Sequence, residues 1–154
     1  MLQVGDTAPG FELTSDEGKK VRLEDFAGKR LLLYFYPKAD TPGCTKQACA
    51  LRDIHPDVKE RDIVVIGISP DSPERLAAFR AKYDLPFVLL SDPDHAVAEA
   101  YGAWGERKLY ARSFMGILRS HVAVDKDGKI TEYKLKVKPL ATAELARSLT
   151  RNGE

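Results

Sequence analysis

The chain has 154 residues, 44% of them apolar and 31% charged, and its 24 Lys and Arg against 23 Asp and Glu leave a formal charge of +1. That is the composition of an ordinary soluble globular domain. It offers no argument for nucleic acid or an anionic membrane as a partner, and the longest apolar run, Leu31 to Pro37, is too short to span a bilayer.

In chain order, Phe11 to Thr14 and Lys20 to Leu23 read as two short strands joined by the turn Ser15-Asp16-Glu17-Gly18, an N-terminal β-hairpin. Leu31 to Tyr36 (LLLYFY) is a continuous apolar run of strand length, expected to be buried on both faces. A helix is expected from Pro42 to about Val58, with His55, just before Pro56, near its end as a candidate C-cap. Ile63 to Ser69 (IVVIGIS) is a second buried strand, rich in β-branched residues. Ser72-Pro73-Glu74 combines an N-cap, a proline at N1 and an early acid, and opens a helix to about Tyr83. Phe87 to Leu90 is a short strand; Asp92-Pro93-Asp94 repeats the capping device and opens a helix towards Tyr101. His121 to Val124, the turn Asp125-Lys126-Asp127-Gly128 and a strand from Ile130 to about Val137 form a late hairpin, and Ala141 to Leu149 a final helix. Alternating strands and helices with two fully apolar strands give an α/β fold: a central mixed sheet flanked by helices, in an order that a thioredoxin-like fold satisfies. A flavodoxin-like sheet competes, but it would prefer parallel strands throughout and a phosphate-binding loop after its first strand. Residues 1–154 read as one domain. The amino terminus has no secretory pattern, so the expected location is cytoplasmic.

The chain has two cysteines, Cys44 and Cys49, and a domain of this size does not need a disulfide to fold, so the pair is expected to be chemical. With Thr41 as N-cap and Pro42 at N1, Cys44 falls in the first helical turn. There, unpaired N–H groups and the positive end of the helix favour thiolate over thiol. Cys49 lies five residues on; in an intact helix that means a rise of about 7.5 Å and a rotation of about 140°. A disulfide cannot form across that geometry. Cys49 is therefore either a small core residue or the partner in a bond that forms when the helix opens locally. The cysteine and histidine spacings match none of the common zinc sites, and no cofactor is expected.

Peroxides are the obvious electrophiles for such a sulfur, because a sulfenic acid product can be captured by a nearby thiol. Lowering a thiol pKa from about 8.5 to about 6 raises the thiolate fraction at neutral pH only about thirtyfold. Fast reduction must therefore also orient the O–O bond and stabilise the departing oxygen, which asks for a hydroxyl and a fixed cation. Thr41 is a candidate for the hydroxyl, as well as the cap or instead of it. Arg119, at the start of a strand, is a candidate for the cation.

The string Pro37-Lys38-Ala39-Asp40-Thr41-Pro42-Gly43-Cys44 resembles the Pro-x-x-x-Thr-x-x-Cys signature of the peroxiredoxins. The longer FYPKADTPGCTKQACALRD is similar to the bacterioferritin-comigratory, or Q-type, subfamily. This resemblance implies a thioredoxin-like fold and a thiol peroxidase for hydrogen peroxide and organic hydroperoxides. It implies that Cys44 is the peroxidatic cysteine and Cys49 the resolving one, closing an intramolecular Cys44–Cys49 disulfide. By the same likeness Pro37 shields the sulfur, Thr41 hydrogen-bonds peroxide and thiolate, and Arg119 is the active-site arginine. The implied reductant is thioredoxin or a similar dithiol protein, and the expected assembly a monomer or weak dimer. Two sequence features depart from the family: Ser120-His121-Val122-Ala123-Val124 is less bulky than usual, and no histidine follows Lys136-Val137-Lys138-Pro139. A peroxide-responsive redox sensor and a thioredoxin-like disulfide exchanger are the alternatives; the latter would normally carry Cys-x-x-Cys, which is absent. Trp104 reads as a packing residue near the pocket, and the alternating Lys134, Lys136 and Lys138 as the basic outer face of an exposed sheet edge.

Overall fold

The computed structural model describes residues 1–151. Nine strands and four helices follow in the order β1 (Glu12–Ser15), β2 (Lys20–Arg22), β3 (Arg30–Phe35), α1 (Pro42–Glu60), β4 (Ile63–Ser69), α2 (Pro73–Tyr83), β5 (Val88–Ser91), α3 (Ala96–Ala100), β6 (Trp104–Leu109), β7 (Arg112–Ile117), β8 (Ser120–Val124), β9 (Ile130–Lys134) and α4 (Ala141–Arg151). Seven strands make one sheet in the order β2-β1-β5-β4-β3-β8-β9, and β6 and β7 form a separate hairpin. The strands β3, β4 and β5 run parallel, while β8, β9, β1 and β2 join antiparallel. The sheet is mixed, and the amino-terminal hairpin extends it by pairing Thr14 with Ser91 and Ser15 with Leu90.

The central strand β3 shows why its sequence is apolar throughout. Side chains alternate across a strand, so Leu32 and Tyr34 face one way and Leu31, Leu33 and Phe35 the other. The first set packs with Cys44, Ala48, Leu51 and Val58 of α1, Leu76 and Phe79 of α2, and Ala143 and Ala146 of α4. The second packs with Val97 and Ala98 of α3, Tyr101 and Ile117. With helices on both faces, neither face of β3 meets water. Gly67 of β4 lies opposite Tyr34, and a Cβ there would come within 2.9 Å of the Tyr34 ring and of Leu89 Cδ2. Gly67→Ala should therefore overpack the core and lower stability by about 1–3 kcal/mol, read as a reduced urea midpoint with unchanged slope.

Four sequence expectations need correction. The helix after Asp92-Pro93-Asp94 starts only at Ala96, because His95 takes a left-handed conformation at its N-cap. Asp92 still serves it from a distance, accepting from the N–H groups of Val97 and Ala98. The helix around His55 runs straight through Pro56 to Glu60, so His55 is no cap; its ring packs against Phe87 instead. The strand from Ile130 stops at Lys134, where the chain turns through Lys136 at φ 56°. The hairpin β6–β7 was not foreseen: its tip, Tyr110-Ala111, lacks the Asn-Gly type of turn, and its strands show no alternation because Leu109, Phe114 and Met115 are exposed.

Candidate active site

The site lies where the parallel strands end. The chain leaves β3 through the half-buried Pro37 and a short loop, and enters α1 at Pro42. That loop is held from inside the protein by Asp71, whose carboxylate accepts from Ala39 N at 2.7 Å and from Ser69 Oγ at 2.8 Å. Arg75 bridges the same carboxylate and the Ala39 carbonyl. On the outside, Asp40, in a left-handed conformation, binds Lys82 Nζ and Tyr83 Oη at 2.9 and 2.8 Å. Those two hydrogen bonds hold its carboxyl below the usual carboxylate range.

Thr41 occupies the N-cap position with extended backbone, as expected, but its hydroxyl does not cap the helix. It donates to Lys38 O at 2.7 Å, so no cap side chain takes the first N–H groups of α1. Cys44 sits in this first turn, 2% exposed. Gly43 beside it permits close approach: a Cβ there would fall 2.9 Å from Arg119 Nη2, so the guanidinium would have to shift.

Arg119, between β7 and β8, brings its guanidinium to this turn. Nη2 lies 3.5 Å from Cys44 Sγ, and Nη1 donates to Gln47 Oε1 at 2.6 Å. Its own carbonyl accepts from Val137 N at 2.8 Å, a bond made possible by the turn that ends β9. Cys49 is half-buried in the same unbroken helix, and both cysteines are free thiols. Cys44, Arg119 and Thr41 thus converge on the start of α1, with Pro37 at the head of the loop, while the intact helix keeps Cys49 apart. Trp104 is a packing residue, but it stacks on His95 at 3.6 Å and belongs to the core face opposite Cys44.

Four residues around the site escaped the sequence reading. Gln47 is three residues from Cys44, and that helical spacing could have placed it on the same face. Asp71, Thr142 and His121 come from distant segments and carried no signal. Gln47 Nε2 donates to Thr142 Oγ1 at 2.9 Å, and His121 Nδ1 lies 3.0 Å from the same oxygen. His121 is 6% exposed, and burial, with a smaller contribution from Lys134, lowers its pKa from 6.5 to about 4.

That depressed value makes stability pH-dependent. Between pH 6.5 and 4 the unfolded chain binds a proton at His121 that the folded one does not. Stability is fully present above pH 6.5 and falls as acid is added, by about 3 kcal/mol on reaching pH 4. Replacing His121 by Phe should remove that part of the loss, so urea midpoints of His121→Phe should fall less steeply over this interval than those of the parent. Parallel slopes would contradict the assignment.

Comparison with known proteins shows the family. Residues 4–133 match the model of the AhpC/TSA family. Peroxiredoxin Bcp of Escherichia coli K12 is 50% identical over 129 residues, covering 84% of this chain and 83% of the relative. The solved structure of a cysteine-to-serine mutant of Xylella fastidiosa PrxQ superposes with a TM-score of 0.92 at 28% identity, over 100% of this chain and 99% of that one. The bacterioferritin comigratory protein of Xanthomonas campestris, studied for its alkyl peroxide reduction activity, gives 0.86 at 29% identity, over 94% and 92% of the two chains. The chain belongs to the AhpC/TSA family and is a peroxiredoxin of the Bcp, or Q, type.

Proposed function

We propose that this peroxiredoxin reduces hydrogen peroxide and organic hydroperoxides at Cys44. The thiolate attacks the terminal oxygen of the peroxide, the O–O bond breaks, and alkoxide or hydroxide leaves to be protonated as alcohol or water. Cys44 is left as a sulfenic acid. The observation that carries this reading is the guanidinium of Arg119 on Cys44 Sγ, 3.5 Å away at a helix start whose N–H groups no side chain caps. The fork of Arg119 can hold an incoming oxygen pair and steady the charge that develops on the departing one. Pro37 shields the sulfur, and Thr41, its proton committed to Lys38 O, keeps lone pairs to accept from the terminal O–H.

The first turns of α1 then open, the Cys49 sulfur displaces water from the sulfenic acid, and an intramolecular disulfide forms. A thioredoxin-like dithiol protein reduces it by exchange. Both thiols are free, as the start of such a cycle requires, and the reading places the enzyme in the cytoplasm as a monomer or weak dimer. Mass analysis after one equivalent of peroxide tests the cycle: the parent should lose two hydrogens without cross-linking, and Cys49→Ser should gain one oxygen instead. A parent that retains both thiols, or that links only between chains, would refute it.

A further inference from the structure

A line of buried hydrogen bonds runs from Arg119 away from the sulfur, and its far end has no part in the cycle above. Arg119 Nη1 reaches Gln47 Oε1, Gln47 Nε2 reaches Thr142 Oγ1, and Thr142 Oγ1 meets His121 Nδ1, at 2.6, 2.9 and 3.0 Å. The three residues beyond the arginine come from α1, α4 and β8, and are 0%, 0% and 6% exposed.

Chemistry fixes the direction of the first two bonds. A guanidinium only donates, so Gln47 must turn its oxygen to Arg119 and its NH2 to Thr142. Thr142 accepts with one lone pair, and its second lone pair and its hydroxyl proton both suit His121 Nδ1, which donates or accepts according to the ring tautomer. Lys134 on β9 and Tyr34 on β3 flank His121 in the sheet. The lysine is a cation and the buried phenol is held un-ionised, so neither draws a second proton onto the ring. A reversed Gln47 amide would aim NH2 at the guanidinium, donor against donor. The arginine therefore selects the amide orientation, and Thr142, itself in contact with His121, accepts from the NH2 that this orientation presents.

We propose that Thr142 and His121 are positioning residues for peroxide reduction: they hold the Gln47 amide with its oxygen towards Arg119, and so keep the second NH2 of that arginine on Cys44 Sγ. The inference rests on the peroxidase reading of Cys44 and adds the means by which its cation is aimed.

The test measures the rapid-mixing rate of Cys44 oxidation by hydrogen peroxide in five proteins: parent, Thr142→Val, Thr142→Ser, His121→Phe and the double variant Thr142→Val/His121→Phe. Valine keeps the shape of threonine without the hydroxyl, and phenylalanine keeps a buried ring without the ring nitrogen. Thr142→Val should slow oxidation by about tenfold, the scale of losing one well-placed orienting contact, and Thr142→Ser should stay within about twofold of the parent. His121→Phe should slow it by about threefold or more, and the double variant should be no slower than Thr142→Val, because both substitutions cut one line. Parental rates in both single variants would overturn the proposal, as would a serine variant as slow as valine or losses that multiply in the double variant. If Thr142→Val does not fold, Thr142→Ser and His121→Phe decide by the same criteria. Should the parent itself leave Cys44 unoxidised, the peroxidase reading fails first and takes the proposal with it.

Discussion

Cys44→Ser should lose peroxide consumption by at least about a thousandfold, the scale seen when an enzymatic nucleophile is removed, while its far-UV spectrum stays that of the parent. The substitution changes one atom in a position that is 2% exposed, so packing is nearly unaltered. Chemistry changes completely. A serine hydroxyl in the first turn of α1 stays protonated at neutral pH, and its oxygen does not attack another oxygen to split the O–O bond. No second sulfur can take over, because Cys49 lies further along the same helix, away from Arg119. A coupled assay with hydrogen peroxide and a dithiol reductant reads the loss directly. Turnover persisting in this variant would place the reaction elsewhere on the chain.

Arg119→Met should slow the oxidation of Cys44 by about 10²–10³-fold, the range found when a preorganised donor to a developing anion is removed. The arginine does two jobs with one planar group: Nη2 faces the sulfur and Nη1 binds Gln47. Methionine fills the volume and donates nothing. It also strands the Gln47 oxygen in a fully buried position, which should lower stability by about 1–3 kcal/mol. Arg119→Lys separates charge from geometry. Lysine keeps the positive charge but cannot present two fixed donors, so its rate should fall between those of the parent and Arg119→Met. Rapid-mixing rate constants with hydrogen peroxide order the three proteins, and a methionine variant within about fivefold of the parent would remove the arginine from the mechanism.

Much of this site was legible in the residues because its parts are local. Pro37, Thr41 and Cys44 lie in one stretch, and a strand that is apolar on both faces followed by a proline-rich loop can only feed a helix start at the edge of the core. Arg119 was reachable through family likeness, since its placement depends on how β8 pairs beside β3. Hydrogen-bond direction was not legible. The Thr41 hydroxyl turns to Lys38 O rather than to the helix, a choice made by loop geometry that residue type does not encode. Nor could sequence show that α4 delivers Thr142 to Gln47, or that His121, noted only as a departure from family bulk, joins them. The boundaries that moved, at His95 and Lys136, moved because non-glycine residues adopt left-handed backbone there, which propensities disfavour.

Pro56 gives α1 a seam. Having no N–H, it leaves the Arg52 carbonyl without its usual donor, so one rung is missing from the ladder between the stretch that bears the two cysteines and the stretch that anchors Val58 in the interior. Fraying that begins at Pro42 thus meets a rung already absent before it reaches Val58. In the proposed cycle the sulfurs would travel while the rear of the helix stays seated on the sheet, so each turnover would disturb one end of a rod rather than the foundation of the molecule.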